Sequence, residues 1–323
     1  MLVLTGGDCF ERPDLVDLIE YAVGKGLHVS ISPSVTPLFT RERVKAVQDA
    51  GVSVMSMSLD GGSAETHDAF RGFPGTFDRT IEACHMLNEL GMRFQLNTVF
   101  TAKNIHEAPQ MLKNAIDLGA FMFYTFMLVP TGRGQHLDML TPHEREDVLH
   151  WLHDNSTRIA IKTTEAPQYR RIAFQREAVR QGKAAPAKHG ELYHWLTKET
   201  HELLGENIEE PRPPRTPLAI NSGSGFAFID HTGDVYPSGF LPIHCGSIKD
   251  TPFPQIYRES EVFRALRNPS GFEGKCGACE FNHFCGGSRS TAYTMTGNYL
   301  ASDPSCAHIP AGYTGELPEG IER

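Results

Sequence analysis

Four cysteines near the end of the chain, Cys276, Cys279, Cys285 and Cys306, follow the spacing C-x2-C-x5-C-x20-C. Thiolates favour zinc and iron–sulfur centres, and two cysteines separated by two residues grip one ion or one cluster from a single tight turn. Glycines at 277, 286 and 287 leave backbone amides free to point at sulfur. A four-thiol zinc site usually pairs two short knuckles, whereas here the second pair is widely spread, so zinc and iron–sulfur both stay open on spacing alone. The chain has seven cysteines, an odd number, and its start, MLVLTGGDCF, lacks a basic leader and a cleavage site. A reducing, cytoplasmic setting is therefore expected, without a disulfide framework. Cys9 and Cys84 read as core or surface thiols, and Cys245, in LPIHCGSI, as structural rather than a fifth ligand.

The elements that must position such a site are legible from periodicity. Four helical stretches end in glycine and are followed at once by an apolar run: KGLHVSIS, AGVSVMSM, LGMRFQLN and LGAFMFYT. Gly26, Gly51, Gly91 and Gly119 stand where a helix needs a left-handed C-terminal residue, and the runs after them suit buried parallel strands. Leu15, Leu18, Ile19 and Ala22 share one helical face, as do Ala108, Leu112 and Ile116, and roughly Ile81, Met86 and Leu87. Met1 to Thr5 adds a first strand. Five strand–helix units or partial units up to about Pro130 predict an α/β fold with a parallel sheet, barrel or doubly wound. The strand ends carry GGD at 6–8, SPS at 32–34, SLDGG at 58–62, NT at 97–98 and VPTGRG at 129–134. Each is small or polar, which admits a ligand to the backbone there.

Beyond Gly134 the texture changes. Thr141, Pro142 and Glu144 form a capping box that opens a helix to about His153. IKTTEAPQYRR and a polar helical region follow, then ENIEEPRPPRTP at 206–217, a proline-rich linker. Arg170 and Arg171 near Tyr169, with Lys162, read first as a solvated helix face and second as a carboxylate-binding set. GFAFIDHTGDVYPSG predicts a β-hairpin. At 40% hydrophobic and 21% charged residues the composition is that of an ordinary globular protein, with no apolar run long enough for a membrane helix. A net charge of -9 argues against a general nucleic-acid surface. The lone histidines, His28, His67 and His106 among them, have no ligand spacing.

LTGGD, VSMSLDGGSAETHDAFRGFPGTFDRTIEA and QLNTVFT together resemble the core of radical S-adenosylmethionine (radical SAM) enzymes. YPSGFLP, CGACEFNHFCGGSR and DPSC resemble a SPASM or twitch-type auxiliary cluster domain, and the wording is most similar to the alternative haem and tetrapyrrole biosynthesis branch. The resemblance implies a partial (β/α) TIM-like barrel lacking its first strand at 1–140, a helical connection and linker at 141–217, and a small loop-rich iron–sulfur domain with a β-hairpin at 218–323. It implies an oxidoreductase or maturase that generates a 5′-deoxyadenosyl radical to modify a tetrapyrrole side chain or a peptide. S-adenosylmethionine would meet Gly6, Gly7 and Asp8 at its amino group, Ser58, Asp60, Arg71 and Asn97 near ribose and carboxylate, and Val129 and Pro130 near adenine. Asp8 stands where the family more often has Glu. Cys276, Cys279, Cys285 and Cys306 would hold one auxiliary [4Fe-4S] cluster, since Ser238 and Arg289 stand where two-cluster relatives carry cysteine. An electron donor such as ferredoxin or flavodoxin is implied; nucleic acid and membrane are not.

The resemblance departs from the family at one point: the C-x3-C-x2-C that holds the reactive cluster, expected before the GGD strand, occurs nowhere in these 323 residues. A chain opening on a buried strand would leave a parallel edge unpaired. The expectation is a segment upstream of Met1, with a separate polypeptide or a cluster-less homologue as alternatives; the last would be a non-catalytic binding protein with a structural iron–sulfur or zinc site.

Overall fold

The computed structural model describes residues 1–208, 211–212 and 217–322, so part of the proline-rich linker at 206–217 lies outside the described residues. Six parallel strands form one sheet in chain order: β1 (Leu2–Leu4), β2 (Val29–Ile31), β3 (Val52–Ser58), β4 (Phe94–Phe100), β5 (Met122–Met127) and β6 (Ala160–Thr164). Such an order, with each strand beside its predecessor, winds the sheet one way only, as in a partial (β/α) barrel. Helices cross between strands: α1 (Leu15–Gly24), α2 (Arg41–Asp49), α3 (Ala64–Arg71), α4 (Thr76–Glu89), α5 (Ala108–Asp117) and α6 (Pro142–Asp154), with α7 (Gln168–Arg180) and α8 (Glu191–Leu204) after β6.

The glycines expected to end helices all have positive φ, from 65° at Gly91 to 108° at Gly51, so each reverses the chain into a strand without a Cβ penalty. The capping box on α6 is formed in both directions between Thr141 and Glu144. The strands alternate: Phe94, Leu96, Phe100, Phe123 and Met127 are buried in one continuous core with Ile19, Ala83, Leu87 and Leu112 of the helices. Gln95, Asn97, Tyr124 and Phe126 point the other way and are half-buried. This differs from strands buried on both faces, because the second face lines the barrel interior. Val3 of the edge strand β1 is 46% exposed.

β6 was not foreseen. AIKTT pairs with β5 through Tyr124 opposite Lys162 and Phe126 opposite Thr164, so the sheet continues past residue 140. Its polar, half-buried sequence gave no apolar run, since only Ile161 is buried.

The C-terminal region has the expected hairpin, β7 (Phe228–Ile229) and β8 (Val235–Tyr236), shorter than its alternation suggested. Around it lie α9 (Phe253–Glu259), α10 (Glu261–Leu266), the single turn α11 (Gly274–Gly277) and α12 (Arg289–Thr296). Its compact apolar cluster is small, with Val235, Ile256 and Phe263 as its buried members. Among the described residues no helix is long and apolar enough to cross a membrane.

Candidate functional site

Two groups of residues come together, one at the strand ends and one around the thiols. At the end of β1, Gly6 and Gly7 are exposed with open space where a side chain would stand, while Asp8 is buried. The Asp8 carboxylate accepts from the Phe10 amide (3.1 Å), the Ser34 amide (3.3 Å) and the Thr36 hydroxyl (2.6 Å), fastening this loop to the one after β2. At the end of β3, Asp60 is buried and ion-paired with Arg71, whose side chain is 38% exposed. Asp60 also accepts from the Val99 amide (2.8 Å), its amide donates to His67 Nδ1 (3.0 Å), and Asn104 donates to its carbonyl (2.9 Å). Burial pushes the His67 imidazole below its ordinary pKa, in keeping with a neutral acceptor. Ser58 lies opposite Asn97 in register, and the Asn97 side chain accepts from Gln95 (2.9 Å). Val129 is buried in the wall, and Pro130 beside it is half-buried.

The four thiols of the array line one cavity together with Arg171, Lys275, Asn282, Gly286, Gly287 and His308. Cys245 is outside it: its thiol donates to the Ile243 carbonyl (3.4 Å) and it packs on the small C-terminal apolar cluster. Cys9 and Cys84 are buried in the barrel core, where burial raises their thiols to about 11 and about 12. Within the cavity the Cys276 sulfur accepts from the Asp303 amide (3.3 Å) and Arg289 (3.5 Å), and the Cys279 sulfur from the Phe281 amide (3.4 Å). Gly287 has φ 66°, and a Cβ there would stand 3.1 Å from the Cys276 sulfur and 2.7 Å from the Arg289 guanidinium. Burial pushes Cys285 up to about 11 and Cys306 up to about 12, so a metal must displace their protons.

A zinc ion and a cluster ask for different sulfur spacings. A zinc ion with four sulfurs at about 2.3 Å brings those sulfurs to roughly 3.8 Å of one another. Among the described residues no three of the array's sulfurs lie within 4.8 Å of one another; the tight set at that distance is Cys279, Glu280 and His308. Four thiols lining one cavity can hold a cluster, in which each sulfur takes its own metal atom.

The arginines after β6 correct the sequence reading. Arg170 and Arg171 are buried, not on a solvated face. Arg171 makes a bidentate pair with Glu146 (2.8 and 2.6 Å) and lines the thiol cavity. Arg170 donates to the Cys285 carbonyl (3.3 Å). Only Lys162 remains on the barrel interior, 4.3 Å from the Tyr124 ring centre. The pattern missed Glu165, the one non-glycine with positive φ (55°) among the described residues. Its carboxylate accepts from the Ser288, Ser290 and Ser238 hydroxyls, joining the end of β6 to the C-terminal region. Gln168 does the same through Asp303 (2.6 Å). Neither residue has a sequence signal, since partners 73 to 135 positions away cannot be read locally.

A one-way parallel sheet with glycine-rich strand ends, joined to a four-thiol cavity, defines an α/β protein with a candidate thiolate metal site. Residues 1–115 match the radical SAM superfamily. The chain is 39% identical over 314 residues to the AdoMet-dependent heme synthase of Oleidesulfovibrio alaskensis, covering 96% of this chain and 75% of that protein. It is 38% identical over 313 residues to the AdoMet-dependent heme synthase of Methanosarcina barkeri, covering 96% and 83%. The structure of Streptococcus suis SuiB bound to S-adenosylmethionine shares the fold, with a TM-score of 0.61 at 12% identity over 95% of this chain and 66% of that chain. The chain spans about three quarters of the first relative and just under two thirds of SuiB. It belongs to the radical SAM superfamily, and its fold is that of the SPASM-type members. S-adenosylmethionine and iron–sulfur clusters are the cofactors that this membership brings.

Proposed function

We propose that this chain is the barrel and auxiliary-cluster region of a radical SAM oxidoreductase whose substrate is a carboxylate-bearing tetrapyrrole. When bound, S-adenosylmethionine with a reduced [4Fe-4S] cluster would supply hydrogen-abstracting radical chemistry. Asp8, pre-set by Thr36 and Ser34, offers its carboxylate to the ammonium of the cosubstrate beside the open backbone of Gly6 and Gly7. The Asp60–Arg71 pair presents a guanidinium to its carboxylate, with Ser58 and Asn97 toward the ribose and Val129 and Pro130 toward adenine. Cys276, Cys279, Cys285 and Cys306 would hold the auxiliary [4Fe-4S] cluster in the cavity that they line.

The observation that carries the substrate class is the interior face of β5 and β6. Tyr124 and Phe126 place their rings 4.6 Å apart, Phe240 of the C-terminal region stands 6.4 Å from Phe126, and Lys162 lies over Tyr124. These rings, inclined at 37° and 62° to one another with a cation over one of them, form an aromatic wall that suits a large apolar substrate with an acidic side arm. The names of the heme synthase relatives point the same way. The test is titration of the anaerobic protein with a propionate-bearing porphyrin, followed at its Soret band. Saturable binding that weakens at least tenfold in Lys162→Met and in Phe126→Ala is expected. Binding that ignores both substitutions removes this reading, and an extended peptide that binds at the same face in its place makes the substrate a peptide.

A further inference from the structure

Buried cations normally sit against carboxylates, because an uncompensated charge away from water costs several kcal/mol. Arg171 obeys this rule through Glu146. Arg170, which donates to the carbonyls of Pro167, Leu218 and Cys285, does not, and neither do Lys275, which lines the thiol cavity, and Arg289, which reaches one of its sulfurs. Lys275 is 2% exposed, and its ammonium donates to the carbonyl of Cys306. Arg289 is fully buried; its guanidinium donates to the carbonyls of Tyr299 (3.0 Å), Ala301 (2.8 Å) and Gly287 (3.4 Å) and to the Cys276 sulfur (3.5 Å), and it lies 4.6 Å from the Phe272 ring centre. A carbonyl meets the Lys275 ammonium, and carbonyls, a ring and a sulfur meet the Arg289 guanidinium; both touch a cysteine of the array. Negative charge arrives there when the cysteines bind metal: four thiolates on a dipositive core make a dianionic centre, which buried cations around it offset.

We propose that Lys275 and Arg289 are the fixed counter-charges of the auxiliary centre and raise its reduction potential. The inference rests on the reading of the thiol cavity as an iron–sulfur site. Adding one electron from an external one-electron donor turns the dianionic centre into a trianion, and the two cations favour that state over the oxidised one by Coulomb attraction in a low-dielectric setting. Arg289 contributes a second effect, a hydrogen bond to a ligand sulfur, which acts in the same direction.

The experiment is a potentiometric titration of the reconstituted chain, followed by electron paramagnetic resonance, on wild type, Arg289→Met, Lys275→Met and Arg289→Lys. Each methionine variant is expected to lower the ratio of reduced to oxidised centre at the wild-type midpoint at least tenfold, a shift of about 59 mV for one electron. Arg289→Lys is expected to recover most of the loss. Unchanged midpoints in both methionine variants overturn the proposal, as does a lysine variant that behaves like methionine. A methionine variant that folds by circular dichroism but retains no iron is decided by Arg289→Lys: restored retention supports the counter-charge, and absent retention overturns it. If Arg289→Met does not fold, Lys275→Met against Lys275→Arg is read in the same way. A wild-type chain that takes up no iron overturns the iron–sulfur reading itself, which keeps the two failures apart.

Discussion

The barrel and the C-terminal region solve the problem of cohesion by opposite means. The barrel buries a continuous apolar layer between sheet and helices, from Ile19 and Val29 through Phe94 and Phe123 to Trp151 and Leu196. The C-terminal region buries few apolar side chains together and instead encloses Lys275, Arg289, Asp303, Ser288, Ser290 and two of the four thiols, Cys276 and Cys285. Apolar burial stabilises whatever the solvent contains, whereas a shell of polar groups and thiols is stable only when its charges are answered. The difference teaches that the two halves of one chain will respond to different perturbations.

Metal removal draws the contrast most strongly. Metal binding to thiolate sites is worth on the order of 10 kcal/mol in small domains. Chelation, or Cys306→Ala, is therefore expected to strip amide protection from residues 274–306 while β2 to β5 keep theirs, read by hydrogen exchange; a uniform loss would break the contrast. Next in size is Phe123→Ala in the barrel, fully buried and edge-on to Phe100 at 6.2 Å. It should cost about 3–5 kcal/mol in urea unfolding, by an equal amount with and without metal.

Acidification gives the smallest effect. Burial holds His150 and His153 of α6 down to about 4 from an ordinary value of 6.5. Below about pH 6.5 the unfolded chain takes up protons that the folded chain refuses, so stability falls as pH drops toward 4 and returns as pH rises. Each imidazole should contribute roughly 1–3 kcal/mol over that window. His150→Phe should flatten the slope of the urea midpoint against pH. An unchanged slope would show that His150 charges freely in the fold.

The sequence displays the parts whose physics is local. Gly26, Gly51, Gly91 and Gly119 mark helix ends because a left-handed residue is needed there, and Thr141 with Glu144 marks a helix start within four positions. The thiol spacing marks a candidate metal site for the same reason. What stayed hidden depends on distant partners: β6 is a strand because β5 offers it an edge, and Arg171 is buried because Glu146 and the cavity receive it. The assignments of Gly6, Gly7, Asp8, Ser58, Asp60, Arg71 and Asn97 rest on resemblance together with strand-end position. Their measure is the loss of S-adenosylmethionine binding on substitution.

The placement of Arg171 bears on how such proteins could be recombined. One wall of the thiol cavity is supplied by α7, and the carboxylate that steadies that wall comes from α6. A chimera cut at the proline-rich stretch would graft the cysteines onto a foreign barrel and leave their lining behind. The transferable cassette begins before Pro142, and ancestry in this family should show those helices travelling with the cysteines they serve.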